Sequence, residues 1–107
     1  MASLHPYTIV YYSIVAKHFR SIDRKYHSLI RKEVDTQLGH LPEVVTRNRK
    51  PLRDQPGPRR IWELRCGPNN RFRIIYELYP EKREVHIVAV GVKEGSRLFV
   101  GGEEMKA

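Results

Sequence analysis

The chain has 107 residues, 40% hydrophobic and 30% charged, with 20 Lys and Arg against 12 Asp and Glu and a formal net charge of +8. That length makes one domain around one core, residues 1–107 together. A single cysteine, Cys66, excludes an intrachain disulfide and a cysteine-based zinc site, and no apolar run approaches the ~20 residues of a membrane helix. The first residues, Met-Ala-Ser-Leu-His-Pro, lack the charged head and apolar stretch of a signal peptide. The expectation is a basic, soluble, cytoplasmic protein.

Tyr7 to Tyr12, rich in β-branched and aromatic residues, reads as a strand. Ser13 offers an N-cap oxygen to a short helix from about Ile14 to Arg20. Ser21 or Asp23 caps a second helix, whose apolar residues Ile22, Tyr26, Leu29, Ile30, Val34 and Leu38 make a helical stripe. Gly39 sits where a left-handed residue ends a helix, and Pro42 blocks continuation. Residues 40–60 read as a long loop, punctuated by Pro42, Pro51, Pro56, Gly57 and Pro58, with Leu52 pinning its middle to the core. Three strands follow: Ile61 to Arg65, Arg71 to Leu78 and Glu84 to Val92, joined by turns at Cys66–Asn70 and Pro80–Arg83. The last of these is apolar on both faces apart from His86 and should be central. A short Arg97 to Val100 segment follows, then Gly101 to Glu104, expected to fray. The order predicts an α+β domain: a small, mostly antiparallel sheet with two N-terminal helices on one face, β-α-α-β-β-β.

The charge is concentrated. Between Arg47 and Arg73 lie Arg47, Arg49, Lys50, Arg53, Arg59, Arg60, Arg65, Arg71 and Arg73, opposed only by Asp54 and Glu63. Side chains alternate across a strand. Trp62 and Leu64 therefore share one face with Phe72, Ile74, Tyr76 and Leu78, and the helices should cover it. The other face presents Glu63, Arg65, Arg71 and Arg73 as hairpin neighbours. Three arginines around one glutamate repel one another unless an anion joins them, so the patch suits phosphate. Arg47, Arg49 and Lys50 on the loop are expected to grip nucleic-acid backbone. Trp62, Phe72 and Tyr76 read as core, His18 and His27 as surface helix residues, and His86 as a core or rim position. The five histidines show no metal spacing.

Several of these stretches resemble the RelE/ParE superfamily of bacterial type II toxins. They are Thr46-Arg47-Asn48-Arg49-Lys50-Pro51-Leu52, Trp62-Glu63-Leu64-Arg65, Arg71-Phe72-Arg73-Ile74-Ile75-Tyr76, Val90-Gly91-Val92-Lys93 and Gly101-Gly102-Glu103. The resemblance implies a toxin neutralised by a cognate antitoxin protein. RelE-like members cut mRNA in the ribosomal A site, whereas ParE-like members poison DNA gyrase. By position it carries over Arg73 and Lys93 as catalytic residues. Some relatives place a lysine where this chain has Glu63, and the frequent C-terminal catalytic tyrosine or histidine has no counterpart in Gly-Gly-Glu-Glu-Met-Lys-Ala.

RNA cleavage by its own 2′-hydroxyl needs a base, positive charge on the phosphorane-like transition state, and an acid for the leaving 5′-oxygen. Arg65, Arg71 and Arg73 suit the charge, since guanidinium forks match phosphate oxygens. Glu63 is the candidate base, and Lys93 or Lys50 the candidate acid or base. The expected catalytic set is Arg73, Lys93, Arg65 and Glu63, with Arg47, Arg49, Lys50 and Arg71 binding RNA. No cofactor and no metal are called for. The expected partners are the antitoxin and mRNA on the ribosome, with rRNA contacts and no membrane. The alternatives are a ParE-like gyrase inhibitor and a non-toxic nucleic-acid-binding relative.

Overall fold

The structure of the protein, a computed structural model, describes residues 6–53, 55, 57 and 60–106. His5, Asp54, Pro56, Pro58 and Arg59, named above, lie outside the described residues. Strand β1 (Thr8–Tyr11) leads into helix α1 (Ile14–Arg20), a single 3₁₀ turn (Arg24–Tyr26) and helix α2 (His27–Leu38). Then come β2 (Arg49–Pro51), β3 (Ile61–Cys66), a 3₁₀ turn (Pro68–Asn70), β4 (Phe72–Tyr79), β5 (Glu84–Glu94), β6 (Arg97–Val100) and β7 (Glu103–Glu104). The sheet runs β2-β3-β4-β5-β6-β7, all antiparallel, and β1 joins β5 in parallel. β1 pairs with residues 84–87 of β5 and β6 with residues 91–94, so the two share one edge end to end. The α+β architecture expected from the periodicities is the one found.

Both helices pack on one face. Phe19, Ile30, Val34 and Leu38 meet Leu64, Phe72, Ile74, Tyr76 and Ile87 in one core. Ile30, Val34 and Leu38 have no exposed surface, and each such burial contributes about 1.5–3 kcal/mol. The strict alternation in β4 buries Phe72, Ile74, Tyr76 and Leu78 and leaves Arg73, Ile75 and Glu77 on the open face. The central place of β5 follows from its pairing on both edges.

Local details differ from the sequence reading. Ser13 makes no side-chain cap; the hydroxyl-rich start is closed instead by backbone bonds from Val15 to Tyr12 and from Ala16 to Ser13. Asp23 caps the 3₁₀ turn, accepting from the Lys25 N–H, so the second helix begins at His27. Gly39 is right-handed (φ −73°), and a Cβ there would stand 2.6 Å from the Asp35 carbonyl oxygen; tight backbone approach, not a left-handed cap, calls for glycine. Residues 40–60 are not all loop, because β2 pairs with β3. The Gly101–Glu104 segment does not fray but turns into β7 and pairs with β6. Cys66 ends β3 in the core rather than standing in a turn, and burial pushes its thiol up to about 12. Tyr76 is wholly buried and its hydroxyl donates to the Pro42 carbonyl at 2.9 Å, tying the loop after α2 to the sheet.

Two histidines are structural. His18 is buried, and its Nδ1 accepts the Val90 N–H at 3.2 Å, which requires the neutral ring. His27 is half-buried and donates to the Ile22 carbonyl at 2.8 Å. The helical stripe had left both on the surface. Close approach of α1 to β5 turns His18 inward, and the edge-on contact of His27 with the Phe19 ring at 5.1 Å does the same for His27.

Candidate functional site

Glu63 stands on the open face of β3 yet is nearly enclosed. Its Oε1 accepts from Arg65 Nε at 3.2 Å, and its Oε2 lies 3.7 Å from Arg73 Nη1. Arg65 and Arg73 are direct cross-strand partners, and Lys50 lies directly across from Glu63. The hairpin therefore draws four of the expected residues together. Arg73 is steadied further by a bond from its Nε to the Asn70 carbonyl at 3.1 Å.

The turn that presents Arg73 has unusual backbone. Gly67, Asn69 and Asn70 all have positive φ. At Gly67 a Cβ would stand 2.3 Å from the Phe72 ring, so glycine is required there. Asparagine is among the few other residues that adopt this conformation at low cost.

A β-bulge decides where Lys93 goes. Pairing steps from Ile75–Ala89 to Tyr76–Ile87, leaving Val88 as the extra residue of β5. Before it, Val85 and Ile87 face the core; after it, Val90 and Val92 do. Gly91 and Lys93 thereby share the open face with Arg73, the cross-strand partner of Gly91. Without the extra residue the alternation would aim Lys93 at the helices. Lys93, Arg71, Arg73, Asn69, Glu94 and Gly95 line an open cavity of about 530 Å³ beside the Glu63 cluster.

Two expected RNA contacts are placed differently. Arg49 is paired with Leu64, which puts it on the helix face. It is buried there, and its Nη1 donates to the Gln37 carbonyl near the end of α2. Arg71 has helical dihedrals (φ −76°, ψ −20°) at the end of its 3₁₀ turn, so it leaves the strand alternation. Its guanidinium lies over the Tyr26 and Phe72 rings, at 5.9 and 5.5 Å, and 3.8 Å from Glu94. Arg71 thus stands at the rim of the sheet instead of on its open face. Arg47 is exposed at the tip of the Thr46–Arg49 turn.

The other end of the open face carries a group the sequence reading did not assemble. Tyr12 lies 3.2 Å from Glu77 Oε1 and 3.1 Å from His86 Nδ1 through its hydroxyl. Tyr79 donates to Glu77 at 3.0 Å, and His86 Nε2 lies 2.9 Å from Glu84. Partial burial and then Glu77 raise the Tyr12 phenol, and the hydrogen bond to Glu77 raises that of Tyr79, so both stay neutral. Tyr12 belongs to the far end of the chain and meets His86 only through the parallel β1–β5 pairing, which no local signal announces. Among the described residues no three of His, Cys, Asp and Glu are grouped to hold a metal ion, and no helix is long and apolar enough to cross a membrane.

Comparison with solved structures places this architecture. The chain superposes on a chain of the RelBE2 toxin-antitoxin complex from Mycobacterium tuberculosis with a TM-score of 0.69, covering 87% of this chain and 98% of that one. It has a RelE-like fold. The two sequences are 19% identical over that match, so the likeness is one of fold. No protein-family model and no curated protein sequence matches the chain. Within the RelE-like fold, the Arg65–Glu63–Arg73 cluster and Lys93 occupy the face of the sheet opposite both helices.

Proposed function

We propose that the protein is the toxin of a type II toxin–antitoxin system and cleaves mRNA on the ribosome. The observation that carries this reading is the open-face cluster, in which Arg65 and Arg73 converge on one carboxylate beside a cavity also lined by Lys93. Arginine forks aimed at one point suit the equatorial oxygens of a phosphorane-like transition state. In the reaction, the 2′-hydroxyl loses its proton, the O2′–P bond forms, the P–O5′ bond breaks and the 5′-oxygen takes a proton. Arg65 and Arg73 balance the growing charge, Glu63 is the candidate base, and Lys93, on the cavity wall, is the candidate acid. Lys50 and Arg47 hold flanking phosphates, with Arg71 at the rim. Dependence on the ribosome fits a site that gains its reactive geometry only when the substrate is positioned for it.

The cognate antitoxin is expected to lay an acidic segment over this basic face. In vitro translation with primer extension tests the reading: wild type should give mapped mRNA cuts and Arg73→Ala none. If Arg73→Ala is inactive while Glu63→Gln cuts normally, Glu63 is a counter-ion and not the base. A gyrase-inhibiting reading is favoured by one observation, that among the described residues no tyrosine or histidine bonds to the Arg65–Glu63–Arg73 cluster. Induced expression separates the two: arrest of protein synthesis with cut mRNA supports the nuclease, and a DNA-damage response with intact mRNA supports the inhibitor.

A further inference from the structure

A second cavity, about 420 Å³, opens at the same end of the sheet but on the helix side. Tyr26, Phe72 and Phe99 contribute rings to it, and Asp23 and Glu94 contribute carboxylates. Phe72 is almost wholly buried, so the half-buried Tyr26 and Phe99 supply the accessible ring surface. Its size lies within the range of ~300–1,000 Å³ typical of small-molecule sites. Arg71 and Glu94 line this cavity and the basic one alike, so the two hollows adjoin at Arg71. The Nε of Arg71 is buried and has no hydrogen-bond partner among the described residues. The Arg71 side chain as a whole is 38% exposed, so the rest of its guanidinium is open to a phosphate.

We propose that the two cavities form one nucleotide site, with the phosphate among Arg71, Arg73 and Lys93 and a purine base in the aromatic cavity against Tyr26 and Phe99. The proposal rests on the RNA-cleaving reading and adds to it a subsite that takes one base around the end of the sheet. Three features select this occupant. The basic half and the aromatic half share a wall, as the phosphate and base of one nucleotide share a ribose. Ring surfaces stack a base whatever its sequence context. Asp23 uses only Oδ1 in its cap, leaving Oδ2, and with Glu94 it offers acceptors to the N1–H and exocyclic amine of guanine.

The test is an NMR titration of the full chain with GMP, UMP, ribose 5-phosphate and inorganic phosphate. GMP should shift the ring signals of Tyr26 and Phe99 and the Arg71 Nε–H signal. It should bind roughly tenfold more tightly than ribose 5-phosphate, within the ~5- to 150-fold that stacking one base supplies. Phe99→Leu and Tyr26→Leu, each keeping a native dispersed spectrum, should bring GMP down toward ribose 5-phosphate. GMP binding no more tightly than ribose 5-phosphate would overturn the proposal. So would ring signals that respond to an acidic peptide but not to GMP, which would make the cavity a protein-docking surface. Phosphate binding without a base effect leaves the nuclease reading standing. Loss of that reading shows separately, as wild-type protein that leaves mRNA uncut in the translation assay.

Discussion

Replacing Glu63 with glutamine removes one negative charge from between two guanidinium groups and changes almost nothing in shape. At an effective dielectric of about 20, the contacts at 3.2 and 3.7 Å correspond to attractions of ~5 and ~4 kcal/mol. Desolvation of a carboxylate this enclosed offsets much of that, and breaking a buried pair costs about 3–5 kcal/mol in practice. The Arg65 side chain is 35% exposed, which screens its share and favours the lower end, about 3 kcal/mol. Arg65 and Arg73, cross-strand neighbours, are then left to repel each other. For a domain of 107 residues, at about 4 °C per kcal/mol, Glu63→Gln should lower Tm by roughly 12 °C in low salt. An anion should replace the lost charge, so inorganic phosphate should raise the Tm of the variant several degrees more than that of wild type. Thermal melts with and without phosphate read both effects. A variant melting within about 2 °C of wild type, with equal phosphate shifts, would refute the view that Glu63 holds the two arginines in place.

Arg49→Ala should cost about 1.5–3 kcal/mol in denaturant unfolding, because a buried charged donor is lost, while leaving the salt dependence of RNA binding unaltered. That salt dependence should have a slope of about −3.5 in log K against log salt if about five phosphates of single-stranded RNA are neutralised, and a flat plot would exclude RNA as the ligand. Tyr76→Phe should cost about 1–2 kcal/mol by leaving the Pro42 carbonyl without its donor, read as a lower unfolding midpoint at unchanged m-value. Burial, and secondarily Lys17, lowers His18 below its ordinary 6.5. The unfolded chain then takes up the proton first, so the His18 contribution is complete above about pH 6.5 and is lost as pH falls toward the folded-state value. Unfolding midpoints from pH 8 to pH 5 should show this fall in wild type and a weaker one in His18→Gln.

Much of this protein follows from local order in the chain. The apolar spacing of α2 and the alternation of β4 belong to single segments, and each specifies a face because side chains repeat every 3.6 or every 2 residues. Phe72, Ile74, Tyr76 and Leu78 were therefore assignable to the core, and Glu63, Arg65 and Arg73 to one open face, from the residues themselves. The tertiary structure decided what depends on pairing between segments or on a break in the repeat. Pairing with Leu64 turned Arg49 inward and its neighbour Lys50 outward, which no loop composition could reveal. Helical dihedrals at Arg71 took it off the strand repeat and set it on the rim. One extra residue in β5, Val88, reversed the alternation and brought Lys93 to the side of Arg73. A charge patch is a property of sequence, but a site is a property of register, and a shift of one residue moves a side chain from one face of a sheet to the other.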